Sequence, residues 1–403
     1  MDELEGLTVI EVGDLVPAAF CGKMLADAGA EVTKVERPGI GDESRRFGPF
    51  PGDQPHPEKS GLFLYLNANK RGITLNLETD EGQALFRRLA QTADILVEDT
   101  PPRYLQDRGL AYARLREVND QLIVVSISGF GRTGPYADYL AYDLQMWHAS
   151  AAGHRFLGDP DREPLRGAWH MGSHWGAVNA AAAALIALEA RDLTGKGQFV
   201  DVSAVEAIAA LSTGSAEVSH YFDTGDWKRR SGNLQAQGVP SGMFKAKDGY
   251  VNIMALTPQQ WDGLVVAMGS PEWARNPAYQ GHYVDRVPHA TDIYAGMQKW
   301  LDGHTIVQVF ESCVKNGVPA APVSTTRDLL ENDHLKQRGY FVECDHPVAG
   351  RLKMPGGLVR GPGERYPTPT PAPLLGQHTD QVLKGRLGLS SRELAGLKRR
   401  GIV

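Results

Sequence analysis

Two groups of side chains in this sequence could take part in catalysis or ligand binding. Ser173 and His174 are neighbours, and a serine with a histidine is the pairing from which a nucleophile and its base are built. Basic residues, 42 Lys and Arg in all, are the second group, and local ones could bind the phosphates of an anionic ligand. The three cysteines and twelve histidines form no CxxC or HExxH pattern, so no metal site is predicted.

The serine–histidine pair is a weak indication of a hydrolase. Side chains of adjacent residues rarely meet in the geometry of nucleophile and base, and residues 172–176 (Gly-Ser-His-Trp-Gly) do not form the GxSxG turn of that class. A serine at the start of a helix, or capping it, explains the same residue more simply. We therefore favour a structural position for Ser173.

The elements that would position these side chains alternate between strand and helix. Residues 7–12 predict a strand, 17–28 a helix and 31–36 a second strand, which is the opening of a parallel sheet with helices on its faces. Further elements are predicted as strands at 73–77, 95–98, 123–127 and 199–202, and as an alanine-rich helix at 177–190. The first strand-to-helix turn lacks GxGxxG, which argues against a dinucleotide cofactor.

Composition divides the chain into segments. Residues 1–221 are expected to form a large α/β domain, and 222–243, rich in Gly, Asp, Arg and Ser, a linker or active-site loop. Residues 244–326 predict a smaller α+β domain, with one helix from 300 to 315. The proline-rich stretch 362–373 is expected to lie extended on the surface, and a short helix is predicted at 390–400.

Charge and cysteine content exclude several classes of protein. A net charge of -6 gives no electrostatic reason to expect nucleic acid or an anionic membrane as a partner. The start of the chain, Met-Asp-Glu-Leu-Glu, is unlike a signal or transit peptide, and no apolar run approaches the ~20 residues that span a bilayer. Three widely separated cysteines fit a reducing compartment. These features predict a cytoplasmic protein.

Several separate motifs resemble those of the family III (formyl-CoA-transferase-like) CoA transferases. They are residues 29–42 (GAEVTKVERPGIGD), 67–72 (NANKRG), 128–136 (SGFGRTGPY), 188–191 (LEAR) and 194–198 (TGKGQ). The resemblance implies a Rossmann-like large domain, completed by a return segment at 327–403, with the smaller domain between. It also implies that two chains interlace as a dimer, and that acyl-CoA is a substrate without any bound cofactor.

In this family an aspartate is the nucleophile. Its carboxylate attacks an acyl-CoA to give a mixed anhydride, and the released thiolate then takes the enzyme's carbonyl as an enzyme-CoA thioester. The resemblance places that aspartate about 21 residues before the TGKGQ turn, where this chain has Ser173. No Asp or Glu lies between Pro164 and Leu188. An alcohol cannot carry CoA as a thioester, so we expect no transfer by this chain alone.

The resemblance also implies which residues face the ligand. Arg37, Lys70, Arg71 and Arg108 are expected on the CoA side, although two lysines of some members are matched by Glu78 and Leu140 and a glutamine by Val16. The glycine-rich loop of the family is matched by residues 234–240, which are less flexible by composition.

The substrate side of the expected pocket combines a tyrosine–acid pair with an aromatic cluster. Its residues are Tyr142, Asp143, Trp169, His170 and His174. The cluster either lines a pocket for an aryl group or packs in the interior, and we favour packing. Asp143 would replace the missing nucleophile only if its helix shifted. The racemase branch of the family is disfavoured because its His–Asp pair and later Asp are absent here.

These features predict the non-catalytic subunit of a heteromeric CoA transferase, with the aspartate supplied by a homologous chain. Family members of anaerobic aromatic pathways that act on 2-benzylsuccinate pair two related chains in this way, which implies succinyl-CoA as donor and 2-benzylsuccinate as acceptor. Two alternatives remain open. One is a catalytically dead homodimer that binds acyl-CoA, and the other is a diverged enzyme that uses the CoA pocket for another reaction.

Overall fold

The structure, a computed structural model, describes residues 3–156, 158–212, 216–227, 229–234, 238–357 and 366–403. Residues 235–237 of the loop matched to the family's glycine-rich loop, and residues 362–365 of the proline-rich stretch, lie outside this description. The chain divides into two compact units. The first unit comprises Met1–Ala152, Gly167–Asp223 and Asp333–Val403, and the second Gly153–Arg166 and Thr224–Asn332.

Six parallel strands form the sheet of the first unit. They are β1 (Thr8–Val12), β2 (Glu31–Glu36), β3 (Arg71–Thr74), β4 (Ile95–Glu98), β5 (Ile123–Ser128) and β6 (Phe199–Ser203). Their order is β3-β2-β1-β4-β5-β6, so the direction of winding reverses between β1 and β4. In sheets of this kind, ligands bind beyond the carboxyl ends of the strands at this switch point. We call that side of the sheet the carboxyl edge, and the opposite side the amino edge.

Helices pack on both faces of this sheet. The helices as far as residue 224 are α1 (Pro17–Asp27), α2 (Gly61–Leu66), α3 (Asp80–Ala90), α4 (Tyr104–Asp107), α5 (Tyr112–Arg116), α6 (Asp143–Ala149), α7 (Ala152–Phe156), α8 (Met171–Thr194), α9 (Ala204–Ser212) and α10 (Ala216–Thr224), of which α7 belongs mainly to the second unit. Helices α1 and α8 lie on one face of the sheet and α3 on the other. Successive residues of a strand face opposite sides. Val9 accordingly packs in a core with α1 and α8, whereas Ile10 packs in a second core with α3.

Helix α8 is long because nothing in its sequence stops it before Gly195, which adopts the left-handed conformation that ends a helix. Its buried face is made of small residues, mainly alanines, which allow close packing against α1 and β5. By length and composition alone α8 could cross a membrane, contrary to the sequence-based expectation, although 44% of the relevant window is buried within the protein. A core helix of a globular unit passes the same test.

The second unit is built around a three-stranded antiparallel sheet. Its elements are β7 (Ser241–Ala246), β8 (Gly249–Met254), α11 (Pro258–Ala267), α12 (Ala290–Leu301), α13 (Ile306–Lys315), β9 (Ala320–Pro322) and α14 (Thr326–Glu331). Trp261, Leu264 and Met297 are fully buried in its core. The prediction of one helix over 300–315 was wrong, because Thr305 caps the start of α13 with its side chain.

The C-terminal segment returns to the first unit. It contains α15 (Asp333–Gln337), the antiparallel pair β10 (Phe341–His346) and β11 (Gly350–Pro355), α16 (Thr379–Leu387) and α17 (Ser391–Arg399). The amide of His378 donates to the carbonyl of Gly72 in β3 (2.9 Å), and buried Arg45 donates to the carbonyl of Pro373 (3.1 Å). Helices α16 and α17 complete the core around Ile10.

The predicted fold class, an α/β fold with a Rossmann-like parallel sheet, is confirmed. Element ends differ by a few residues: the strand expected at 73–77 ends at Thr74, and the helix expected at 177–190 begins at Met171. The interlacing of two chains stays a prediction.

Candidate active site at the carboxyl edge

Ser173 lies in the first turn of α8, where a catalytic carboxylate was expected from the family pattern. His170, which precedes the helix, adopts a left-handed conformation with φ of 56°. The amide of Ser173 donates to Oδ1 of Asp143, the first residue of α6, at 3.0 Å. The positive end of the α8 dipole is therefore neutralised by a carboxylate from another helix.

Helix α8 itself offers no acid near this point. Its first carboxylate is that of Glu189, which follows Met171 by 18 residues and thus lies about 27 Å along the helix axis. Asp143 is the carboxylate that the structure brings to Ser173, and one of its oxygens is already engaged by the Ser173 amide.

His174 does not act as a base for Ser173 in this arrangement. Its Nδ1 lies 2.7 Å from the carbonyl oxygen of His170. Because a carbonyl only accepts, Nδ1 carries the ring hydrogen and donates a hydrogen bond to it. The imidazole ring packs edge-on against Phe20, with 4.5 Å between ring centroids. A serine hydrolase therefore gains no support from the geometry.

The aromatic residues expected in the pocket separate into two groups. His174 packs inward on Phe20, whereas the ring of Trp169 contacts that of His170 in a tilted arrangement, with 4.6 Å between centroids, and Trp169 is 48% exposed. Phe47 extends this second group, 6.4 Å from His170. Tyr142, just before α6, is 65% exposed. An aromatic surface that is open to a ligand is thus present beside Ser173 in the sequence, at Trp169 and His170.

Arg37 follows the carboxyl end of β2. Its guanidinium is 44% exposed and lies 3.2 Å from both Asp14 and Glu43. Burial raises the pKa of Asp14, and Asp42 raises it further, while Arg37 is among the groups that lower it. Arg37 is therefore accessible to a phosphate, but two carboxylates compete for it.

Arg108 lies on the same edge. It stacks over the ring of Tyr104 at 3.8 Å, donates to the Tyr104 carbonyl at 2.8 Å and pairs with Glu78. The hydrogen bond from Arg108 lowers the pKa of Glu78, and the charge of Arg37 contributes in the same direction. Both guanidiniums thus influence the same carboxylate, at a position where some family members have lysine.

Lys70 is placed in the interior. Its ammonium donates to the carbonyl of Ala19 (2.6 Å) and to Oδ1 of Asn67 (2.9 Å), and pairs with Glu11 at 2.7 Å. Burial lowers its pKa to about 8, against the opposing charge of Glu11. The side chain is fully buried among these partners, so the ammonium is closed to a phosphate. Glu11 also pairs with Lys34 at 2.8 Å, which makes a buried ion network.

Arg71 lies at the other side of the sheet. It is the first residue of β3, at the amino edge, and its guanidinium pairs with Glu31 at 2.7 Å. The structure therefore brings together Arg37 and Arg108 at the carboxyl edge and separates Lys70 and Arg71 from them.

Asp99 is a residue of this edge that the sequence interpretation missed. It follows β4 at the switch point, and its two carboxylate oxygens accept the amides of Asp14 (2.9 Å) and Ala18 (2.8 Å) at the start of α1. Burial raises its pKa to about 8, with both amides acting in the opposite direction. The helix terminus that could bind a phosphate is filled by the protein's own side chain. The only sequence signal was an acid directly after a buried strand.

No cluster of His, Cys, Asp or Glu able to hold a metal occurs within the residues that the structure describes.

Comparison with known proteins gives one consistent result for the sequence. The sequence model of CoA-transferase family III matches residues 4–379. The chain is 33% identical to the succinyl-CoA–D-citramalate CoA-transferase of Chloroflexus aurantiacus over 99% of its own length and 98% of that protein. It is 31% identical, with the same coverage of each chain, to the succinyl-CoA–L-malate CoA-transferase beta subunit of the same organism.

Comparison of structures agrees. A CAIB/BAIF family protein from Brucella suis superposes with a TM-score of 0.82 at 27% identity, over 95% of this chain and 99% of that one. The chain belongs to CoA-transferase family III, whose members move CoA between acyl-CoA thioesters and carboxylic acids without a cofactor.

Proposed function

We propose that this chain is the non-catalytic subunit of a heteromeric CoA transferase. The observation that carries the proposal is the first turn of α8, where Ser173 stands at the position of the family's nucleophilic aspartate and donates its amide to Asp143 at 3.0 Å. The serine hydroxyl cannot hold CoA as a thioester. The carboxylate that does so would come from a homologous chain interlaced with this one.

Asp143 does not replace the nucleophile in this proposal. Its Oδ1 accepts a hydrogen bond from the amide of Ser173 at the positive end of α8. That oxygen is therefore engaged with the helix and would have to leave this contact to attack a thioester. Asp143 is thus better suited to hold the start of α8 in place.

The donor in the proposal is succinyl-CoA, and the acceptor is a dicarboxylic acid with an aryl group, 2-benzylsuccinate. The relatives from Chloroflexus support the donor, since both are named for succinyl-CoA, and one of them is named as a beta subunit of a transferase. The exposed ring of Trp169, which contacts His170 at a tilt, supports an aryl acceptor because it offers a flat apolar surface. CoA itself would contact Arg37 and Arg108.

The test is CoA transfer from succinyl-CoA to 2-benzylsuccinate by the chain alone, by its aspartate-bearing homologue alone, and by the two produced together. We expect the full rate only in the mixture, and its loss when the homologue's aspartate becomes asparagine. Transfer by this chain alone would refute the proposal, and Asp143→Asn would then show whether Asp143 is the nucleophile. A stable CoA-binding homodimer that never associates with a homologue would favour the catalytically dead alternative.

The variant Ser173→Asp tests the same site by restoring a carboxylate at the nucleophile position. If the rest of the pocket is intact, this change should give the lone chain detectable transfer and an enzyme-CoA adduct that mass spectrometry can locate at residue 173. Ser173→Asn is the matched control, because it has the same shape and no nucleophilic carboxylate. Activity in the asparagine variant would assign any transfer to another group.

A further inference from the structure

A cavity lies in the first unit, and its lining does not include Ser173. Its volume is about 680 Å³, within the range of small-molecule sites. It opens between the loop that follows β4 and the loop that follows β5, over residues Val124 and Phe199 of the sheet. None of its lining residues is Ser173, Asp143, Arg37 or Arg108. Tyr104, over whose ring Arg108 stacks, is among the lining residues, so the cavity adjoins the proposed CoA site but is otherwise formed by different side chains.

Arg132 provides the polar anchor of this cavity. Its Nε donates to Oγ of Ser126 at 2.7 Å, and its Nη2 donates to the carboxylate of Glu98 at 3.0 Å and to the carbonyl of Thr100 at 2.9 Å. The side chain is 16% exposed. These contacts fix the plane of the guanidinium and leave Nη1, with two hydrogens, without a partner among the described residues.

Glu98 cannot itself bind a ligand here because its oxygens are already saturated. They accept the amide of Thr100 at 2.8 Å, its hydroxyl at 2.6 Å, and the hydroxyl of Ser126 as well as Arg132. The carboxylate is 6% exposed. Its role is to hold Arg132 in place, so the group presented to the cavity is a donor.

The remaining lining is largely apolar and aromatic. Tyr112 and Phe199 lie next to each other with 5.8 Å between ring centroids, and Pro101, Pro102 and Val124 complete this surface. Phe199 is 40% exposed, so part of its ring is open to the cavity and to solvent. A flat apolar group would remove these rings from water.

The entrance carries a second guanidinium. Arg103, in a left-handed conformation before α4, forms a two-pronged ion pair with Asp138 of the facing loop, at 2.9 and 2.5 Å. Both side chains are more than half exposed, so this link between the two loops is weak and easily exchanged. An anion that enters the cavity meets Arg103 first and Arg132 inside.

We propose that this cavity binds a small aromatic carboxylate, with the carboxylate on Nη1 of Arg132 and the ring against Tyr112 and Phe199. A donor with a fixed orientation selects the anion, and the rings select a flat apolar body. The inference does not depend on the proposed function, because the lining residues all come from this one chain.

The test measures binding of 3-phenylpropanoate to the full-length chain by calorimetry or ligand-observed NMR. For a ligand of this size we expect a dissociation constant on the order of 1 mM. The matched probe is 3-phenylpropan-1-ol, which has the ring without the carboxylate and should bind at least about tenfold more weakly. Equal binding of acid and alcohol, or no binding of the acid at about tenfold higher concentration, overturns the proposal.

Two variants locate the site. Arg132→Lys keeps a charge beside Glu98 but removes the free Nη1, and should weaken binding of the acid about tenfold. Since this change alters a buried ion pair, a second variant, Ala113→Trp, leaves that pair intact. Residue 113 is exposed and lines the cavity, so a tryptophan there takes up part of the space for a ligand. Arg116→Trp, on the same helix but outside the lining, is the control and should bind as the wild type does. Unchanged affinity in Ala113→Trp refutes the assignment.

Discussion

Lys70 offers a sharp test of the difference between a ligand-binding residue and a structural one. Its sequence motif suggested contact with CoA, but in the structure the buried ammonium donates to Asn67 and the Ala19 carbonyl and forms an ion pair with Glu11. In Lys70→Met, Glu11 keeps only Lys34 as a charged partner, and one of its buried oxygens loses its ion pair. Breaking a buried pair from one side costs about 3–5 kcal/mol.

That cost should be visible as a large fall in melting temperature. For a unit of this size, 1 kcal/mol corresponds to about 2 °C, so Lys70→Met should melt about 6–10 °C below the wild type. The matched control is Arg71→Met, the next residue, whose pair with Glu31 is 41% exposed on both sides. Because an exposed pair contributes about 0–1 kcal/mol, this control should shift the melting temperature by no more than about 2 °C.

The assay is differential scanning fluorimetry on both variants, followed by CoA binding well below either melting temperature. Folded Lys70→Met should bind CoA within about twofold of the wild type, whereas Arg37→Met should bind it about tenfold more weakly because it loses a charge-assisted contact. If Lys70→Met melts with the wild type and yet loses CoA binding, then the ammonium faces the ligand and the structural reasoning is refuted.

Three further predictions concern the carboxyl edge. Glu78→Gln removes the carboxylate that occupies Arg108 and should tighten CoA binding several-fold in a titration, with little change in melting temperature since the pair is exposed. Asp143→Ala removes the acceptor for the Ser173 amide and should lower the free energy of unfolding by about 1 kcal/mol in urea, less in Asp143→Asn. Asp99 has a pKa of about 8 when folded and one near 3.8 when exposed, so between these values the folded chain holds a proton that the unfolded chain has lost. Stability should therefore fall as pH rises from about 4 to about 8, and Asp99→Asn should flatten that dependence in urea titrations at several pH values.

Each of these has a result that would contradict it. Weaker CoA binding in Glu78→Gln would mean that the carboxylate positions Arg108 for the ligand instead of competing for it. Equal stability of wild type and Asp143→Ala would remove the proposed capping contact. A wild type and an Asp99→Asn variant with parallel pH profiles would show that Asp99 titrates in the ordinary range.

The sequence predicted the first unit's sheet well because its signals are local. Short β-branched runs such as 123–127 are buried on both faces, and a helix with many alanines follows from composition alone. The position of Ser173 at the start of α8 was also predictable. Gly195 ends the helix and belongs to the family motif, and Ser173 lies about 21 residues before that motif.

The arrangement of the basic residues was not predictable in the same way. Lys70 and Arg71 are neighbours in sequence, yet one points into the core and the other lies exposed at the amino edge, because β3 begins between them and covers only four residues. Only the pairing of β2 with β3 decides which end of the strand a charge occupies. Asp99 was missed for a related reason: its function depends on α1, which lies about 80 residues earlier in the chain.

The return of the C-terminal segment to β3 has a consequence for synthesis in the cell. Arg45 and Pro373, which are hydrogen-bonded in the finished protein, are separated by 328 residues. At a translation rate of 5–20 residues per second, the ribosome needs roughly 16–65 s to pass from one to the other. Nascent chains stalled before residue 370 should therefore remain open to protease near β3. If two chains interlace as predicted, one chain can pass through the other only during this interval. Afterwards the C-terminal segment pairs with the N-terminal part and closes the chain into a loop.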